Sequence, residues 1–487
     1  MKRTILILCC IFCTIAIYAQ KETNWWYFGS GSGLNFNELS TINGVENMPK
    51  AVRGPLNTSE GCFTLSDSGG NLLMSSDGIT VYNKQNQQME NGSGLLGHSS
   101  ATQSGIVIPK PGSSTEYYIV TVAVRIGENA NAKGINYSIA DLSANGGLGK
   151  ITTKNVQLLP SPLDENIAGI LNANGKDFWL VHNTGRYFYV WAITAEAGFS
   201  ATPQIYDIGF TPVIDASAAL GTLKFSSDNT RFARPNYTGK QMITGFFDTS
   251  TGVVSGVKTT NLASISTKPY ALEFSPSGEY IFYNTSESGP MYRVSFNDVR
   301  NGLFGINTTL PISNVQLSPD GRIYGIKINT STLYVIMNPD EGGTDIRTMD
   351  NFLVANAGYG LPTFAASFFN AKPVSPKAFT CAGYAAKLSI ETSFAGIDVP
   401  TYFTWDFGDG SSLVTQTFTA GTTTYTQKHT YDTAGTYNIT VTPYKTGSTM
   451  LADKVVTFRA NIVNCNIVSN RMIRDDMLNT ARMNQNQ

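Results

Sequence analysis

A chain of 487 residues is longer than one hydrophobic core usually fills, so more than one domain is expected. Charged residues make up 14% and aromatics 11%, with 46 glycines and 23 tyrosines, a balance that fits extracellular β-structure and argues against a helical cytosolic enzyme. The formal net charge is -1, or -3 once Lys2 and Arg3 are removed with the N-terminal segment, and no Lys/Arg run occurs, so a nucleic-acid surface is not expected.

Residues 1–19 have the form of a secretory signal, with Lys2 and Arg3 as the charged start, Ile5–Ile17 as the apolar core and Ala19 as the cleavage residue. The apolar run is shorter than the roughly 18–20 residues of a membrane span. The mature chain is therefore expected to be secreted or held at the outer cell surface, and not to span the membrane. It keeps Cys62, Cys381 and Cys465. In an oxidising compartment Cys381 and Cys465, which bracket one compact segment, are candidates for a disulfide joining its first and last strands; two separate buried thiols are the alternative. Cys62 reads as a small buried hydrophobe.

Aromatic strand material follows the leader at Asn24–Phe36. Hairpins are then predicted at Gly61–Tyr82, Ser104–Val122 (continuing to Ile135–Asp141), Ala168–Ile193, Gly221–Thr249, Ala271–Asn297 and Asn314–Met337, with a last inner strand at Leu361–Asn370. The clearest copy is Leu272–Asn284, an apolar strand, a Ser-Pro-Ser-Gly turn and a second strand; Leu223–Phe232 and Val315–Tyr324 repeat it. Comparable inner-strand positions are Leu65, Ile108, Leu171, Phe225, Phe274, Leu317 and Phe364, separated by 43, 63, 54, 49, 43 and 47 residues. Such spacing is that of propeller blades. The expected fold is all-β: a seven-bladed β-propeller over residues 20–372, its last blade closed by the N-terminal strands Trp25–Phe28 and Leu34–Phe36 pairing with Leu361–Asn370. A pair of sandwiches or a solenoid is the weaker reading, because the separations vary too much.

Pro373–Pro376 reads as an extended linker, followed by a separate β unit at residues 377–465 and a polar tail at 466–487. In that unit Thr401–Phe407 alternates as a strand and Gly408-Asp409-Gly410 makes a turn. Trp-Asp-Phe-Gly-Asp-Gly at Trp405–Gly410, His-Thr-Tyr at His429–Tyr431 and Ala-Gly-Thr-Tyr-Asn-Ile-Thr-Val at Ala434–Val441 resemble the PKD domain, an immunoglobulin-like β-sandwich of surface proteins. The resemblance implies structural roles for Trp405, Asp406, Gly408, Asp409, Gly410, His429, Tyr431, Gly435 and Tyr437, and a spacer or interaction module without chemistry. Asn24–Gly29, Asn57–Leu65, Thr102–Gly112, Leu148–Leu159 and Leu272–Tyr283 resemble a group of large secreted Bacteroidetes proteins, many exported by type IX secretion. Members of that group continue into a β-rich sorting domain, which this sequence does not show before Gln487.

Gly92-Ser93-Gly94-Leu95-Leu96-Gly97 satisfies a dinucleotide-binding pattern, but polar Gln85–Asn91 precedes it and a strand follows, so it reads as a loop between blades. The three histidines, His98, His182 and His429, lack metal-ligand spacing, and neither a metal nor a cofactor is expected. The residues just before each inner strand rim one mouth of a propeller channel: Glu60, Gln103, Glu165, Lys268, Tyr270, Asn314 and Tyr359. Together they suit a sugar or a peptide tip, although each taken singly is explained as well by capping a strand end. The expected function is non-enzymatic binding or adhesion, the propeller recognising a surface glycan or protein with the second unit as a spacer. A carbohydrate-active hydrolase or lyase, and a structural part of a surface motility or secretion assembly, are the alternatives.

Overall fold

The computed structural model describes residues 21–125, 133–160, 163–209, 217–262, 268–285, 289–369, 372–374, 380–383, 385–391, 399–420, 422 and 424–463. The expected leader, Cys465 and the tail lie outside them. No described helix is long and apolar enough to cross a membrane.

Among the described residues, seven antiparallel sheets precede residue 370. The first in the chain holds Trp25–Phe28, Ser30–Ile42 and Val45–Asn57, and is called the N-terminal sheet here. Sheet one is Phe63–Ser66, Leu72–Ser76 and Val81–Asn83; sheet two is Gly105–Pro109, Glu116–Val122, Ile135–Asp141 and Lys150–Leu159. Sheet three is Ala168–Leu171, Phe178–Thr184 and Tyr187–Thr194, the last pairing with both Gly198–Phe199 and Gln204–Asp207. Sheet four is Lys224–Phe225, Arg231–Asn236, Gln241–Phe247 and Val254–Asn261; sheet five is Pro269–Phe274, Tyr280–Thr285, Met291–Ser295 and Ile306–Asn307. Sheet six is Asn314–Leu317, Ile323–Ile326, Leu333–Ile336 and Ile346–Met349.

The repeated hairpins form because their turns share one geometry. The Gly278 amide donates to Ser275 O, Gly321 to Ser318 O and Asn229 to Ser226 O, each donor residue having a positive φ. A Gly or Asn at that position accepts the left-handed conformation at little cost. The hydroxyls of Ser226 and Ser275 close the same turns by accepting from the amides of Arg231 and Tyr280.

Apolar side chains fill the spaces between consecutive sheets, and the sheets close into a ring. Phe63, Ile106 and Leu180 join sheets one to three; Ile170 and Phe188 pack with Phe225 and Phe232 between three and four; Met242 meets Leu272 and Phe274 between four and five. Trp26 and Phe36 pack against Tyr324 of sheet six, with ring centroids 6.0 and 5.3 Å away. On its other side the N-terminal sheet reaches sheet one, where the Tyr27 amide donates to Thr64 Oγ1. The early aromatics thus pack between sheet six and sheet one, without the expected ladder.

Residues 361–365 form no strand. Pro362 makes a single parallel bridge to Cys62, the Thr363 amide bonds Cys62 O, and Trp26 meets this segment through the Phe364 ring, 6.1 Å away. Proline has no amide proton to continue a ladder. The N-terminal sheet is instead tied to residues 355–358, Ser30 N donating to Asn356 O and Ser32 Oγ to Ala355 O. Gly29 permits that approach: a Cβ there would lie 2.6 Å from Asn356 O.

An inner strand facing a channel leaves backbone amides unpaired, and a buried unpaired amide is costly. Here neighbouring side chains accept them. Gln103 Oε1 accepts from Ile167 and Leu223, Thr222 Oγ1 from Leu272, and Glu273 Oε2 from Leu317.

The C-terminal unit is a two-sheet sandwich. One sheet is Lys372–Val374, Ala385–Glu391 and Thr424–Thr430. The other is Thr380–Cys381, Val456–Val463, Gly435–Lys445, Tyr402–Asp406 and Val414–Thr417, with Thr449–Met450 added to Gly435–Lys445. Pro373 and Val374 therefore belong to a strand, paired with Ile390 and Ser389, and not to a linker. The first and last strands of the larger sheet run parallel, with Cys381 opposite Val463. Fully buried Trp405 centres a core with Phe403, Ile439 and Leu388.

Candidate ligand-binding mouth

In an antiparallel sheet whose first strand runs down the channel, the chain re-emerges at the same rim in the turn between the second and third strands. The rim is therefore built from the residues entering each inner strand and from those turns.

Glu60 is the residue around which the rim converges. Its Oε2 accepts from the Tyr270 hydroxyl at 3.0 Å and its Oε1 from Ser100 Oγ at 3.3 Å. The Tyr270 ring lies edge-on to Tyr359 at 6.4 Å and to Tyr237 at 6.2 Å. Lys268 places its ammonium 4.9 Å from the Tyr237 ring centre. Asn314 Nδ2 donates to Tyr359 O, fixing that residue's backbone. Glu60, Lys268, Tyr237 and Tyr359 are partly exposed, whereas Tyr270 is buried.

The second acidic residue of the set differs. Glu165 is 0% exposed, and it accepts from Thr102 N at 2.8 Å, Thr102 Oγ1 at 3.2 Å and Arg125 N at 2.7 Å. Burial pushes the Glu165 carboxyl up to about 7 against these bonds. Burial, followed by the charge of Glu165, likewise pushes Glu60 up to about 7, with the Tyr270 and Ser100 bonds opposing. Burial and the Glu60 charge hold the Tyr270 phenol well above its usual range, so it remains a donor.

Of the seven rim residues named from sequence, Glu60, Tyr270 and Tyr359 come together, and Lys268 joins them through the Tyr237 ring. Glu165 stands behind them, linked through Thr102. Gln103 is spent on the amides of Ile167 and Leu223, and Asn314 on Tyr359 O and the Val315 amide. Sequence reasoning passed over Tyr237, although its place after the second strand of sheet four, in the turn Tyr237–Lys240, puts it on the same rim.

Two further polar groups were not anticipated. Lys224 Nζ bonds Glu273 Oε2 at 3.0 Å and Gln316 Oε1 at 2.5 Å. With Phe364, Ala366 and Phe369 they line a small pocket. Between sheets three and four, fully buried Arg234 pairs with Asp164 at 2.6 Å and bonds Asn183 Oδ1 at 2.7 Å. Asn183 is bonded to Asn166, whose carbonyl lies 2.8 Å from His182 Nδ1. Burial lowers His182 to about 4, so its ring is neutral at physiological pH.

In the sandwich, Asp409 Oδ2 lies 2.6 Å from His429 Nε2 and its Oδ1 accepts from Ser411 N. His429 stacks on Phe407 with centroids 4.0 Å apart and planes 3° from parallel. The Tyr431 hydroxyl donates to Phe407 O, and Gly408, at φ +75°, sits so close to Asn438 O that a Cβ would clash at 2.2 Å. Residues 370–457 match the family model of the PKD domain. This segment is a PKD domain. Its sequence motif residues serve the turn and the core beneath it.

No curated protein matches the chain. Solved structures similar to it include a Bacteroides fragilis protein described provisionally as a 6-phosphogluconolactonase, at 11% identity over 70% of this chain and 97% of that chain, with a TM-score of 0.46. Apo AztD from Citrobacter koseri aligns at 13% identity over 70% and 88%, with a TM-score of 0.37. The periplasmic gluconolactonase of Pseudomonas aeruginosa aligns at 12% identity over 57% and 93%, with a TM-score of 0.34. Among the described residues no group of three His, Cys, Asp or Glu side chains is arranged to hold a metal ion, and the Gly92–Gly97 stretch is a loop with no helix after it.

Proposed function

We propose that the chain is a secreted or cell-surface binding protein, in which the propeller mouth recognises a surface glycan or protein and the PKD domain acts as a spacer. The observation that carries this reading is the partly exposed Glu60, set among Tyr237, Tyr270 and Tyr359 at the end of the channel. Aromatic rings around a polar anchor make a recognition surface, since they offer contact area at small entropic cost. The test is to titrate the protein with glycans, matrix proteins and cell-envelope fractions. Tyr359→Ala is expected to weaken capture at least tenfold; equal capture by the variant would place recognition elsewhere.

A hydrolase or lyase is the second reading, and one observation favours it. A carboxyl held at about 7 is tuned for proton donation near neutral pH. Two-carboxylate glycoside hydrolysis also needs a second reachable carboxylate. Glu165 is enclosed by its three donors, so the chemistry would rest on Glu60. Turnover of a polysaccharide that disappears in Glu60→Gln would establish the enzyme and displace the binding reading.

A further inference from the structure

We propose that the group taken by the mouth is an ammonium, presented by a lysine side chain of a protein partner, with Glu60 as its counter-charge and the rings of Tyr270 and Tyr359 as walls. The inference deepens the binding reading above and rests on it. Three observations support it.

The first is the state of the carboxylate. An ionised carboxylate offers about four acceptor positions. Glu60 accepts bonds from two neutral hydroxyls, those of Tyr270 and Ser100. Among the described residues no Lys, Arg or His forms an ion pair with Glu60 or with Glu165 behind it. Ionised Glu60 therefore has a second carboxyl behind it and, among the described residues, no cation beside it. A neutral polyol would bond the oxygens and leave that charge unmatched, an anion would repel it, and a cation pairs with it.

The second is the shape of the aromatic row. Tyr270 meets Tyr237 at 81° and Tyr359 at 69°. Rings set nearly at right angles form a corner with faces on more than one side, the arrangement that surrounds an ammonium.

The third is that the chain already seats an ammonium on this row. Lys268 Nζ lies 4.9 Å from the Tyr237 centroid, inside the range of a cation–π contact, and makes no ion pair with Glu60. Tyr237 thus serves the protein's own lysine, and the next two rings stand beside the carboxylate.

The experiment titrates the full chain with a Gly-Gly-Lys-Gly-Gly peptide blocked at both ends, with the same peptide acetylated on the lysine, and with a neutral N-acetylglucosamine hexamer. The expected result is binding of the free lysine peptide, at least tenfold weaker after acetylation, and at least tenfold weaker in Glu60→Gln and in Tyr359→Ala. Circular dichroism of both variants checks that each is folded, and the two act on different contacts, so a failure of one to fold leaves the other. Equal binding of the two peptides, unchanged affinity in folded Glu60→Gln, or hexamer binding lost in Tyr359→Ala would overturn the ammonium and leave the mouth as a binding site. Absence of binding by all three probes, together with capture of envelope material unaffected by Tyr359→Ala, would overturn the mouth itself.

Discussion

The propeller mouth and the PKD turn are built from the same parts, a carboxylate among aromatic rings, and they end in opposite electrostatic states. In the PKD turn burial also opposes ionisation, but the bonds from His429 and Ser411 outweigh it and hold the Asp409 carboxyl at about 2. At the mouth burial and then the charge of Glu165 outweigh the bonds that Glu60 accepts from the neutral Tyr270 and Ser100 hydroxyls, so it is pushed to about 7. A carboxylate whose needs are met within its own turn is doing structural work. One that is partly exposed and, among the described residues, pairs with no cation is a candidate for a role in recognition.

Several substitutions would break or sharpen this contrast. The largest effect is expected from the cores on which each region stands. Trp405→Ala should cost the PKD domain roughly 3–5 kcal/mol, and Trp26→Ala should cost the ring a similar amount. Both indoles are 0% exposed. Calorimetry should resolve two transitions, each lowered by only one of the substitutions; a common shift would mean the two units melt together.

Next comes the pH dependence of the ring. His182 falls from 6.5 to about 4 in the folded state. Its contribution is full above the unfolded value and is lost as pH falls from 6.5 towards 4, a drop of roughly 3 kcal/mol. Glu165, raised from 4.5 to about 7, acts with the opposite sign. Its contribution is full below 4.5 and is lost as pH rises through 7, again by roughly 3 kcal/mol. The two windows overlap between pH 4.5 and 6.5 and oppose each other there, so Glu165→Gln should make stability rise more steeply, or fall less steeply, with pH across that span. Denaturant titrations from pH 4 to pH 8 measure the difference, and an unchanged pH dependence in the variant would remove Glu165 from the account.

His429→Ala should cost the PKD domain about 1–2 kcal/mol, by deleting the ring stacked on Phe407 and the partner of Asp409. It should leave binding at the mouth unchanged. The smallest effect belongs to the exposed pair Lys50–Glu38, at 2.7 Å. Lys50→Ala should change stability by less than about 1 kcal/mol, and a larger loss would mark that edge as part of something more than a solvated strand.

Much of this was legible in the residues. The short strands Leu272–Phe274 and Tyr280–Tyr283, separated by the turn Ser-Pro-Ser-Gly, are a local signal, because neighbours in sequence decide it. The period-two alternation around Trp405 is equally local. The outer strands Val254–Asn261 and Ile346–Met349 were not singled out; they alternate weakly because they bury little. Leu361–Asn370 misled, since its apolar content outweighed Pro362, whose missing amide proton decides against a ladder.

By itself the sequence determined the hairpins, their turns, the core of the PKD domain and the set of residues that enter the inner strands, all governed by contacts within a few residues. Tertiary structure decided which of those entries reach solvent. Glu60 and Glu165 precede equivalent strands and look alike in the chain, yet one is partly exposed and the other is wrapped by Thr102 and Arg125. Gln103 and Asn314 are spent on amides and carbonyls of neighbouring segments, while Tyr237 joins Tyr270 from another sheet. The physical reason is separation along the chain: Tyr270 lies 210 residues from the carboxylate it bonds, and no local pattern records a distance that only closing the ring creates.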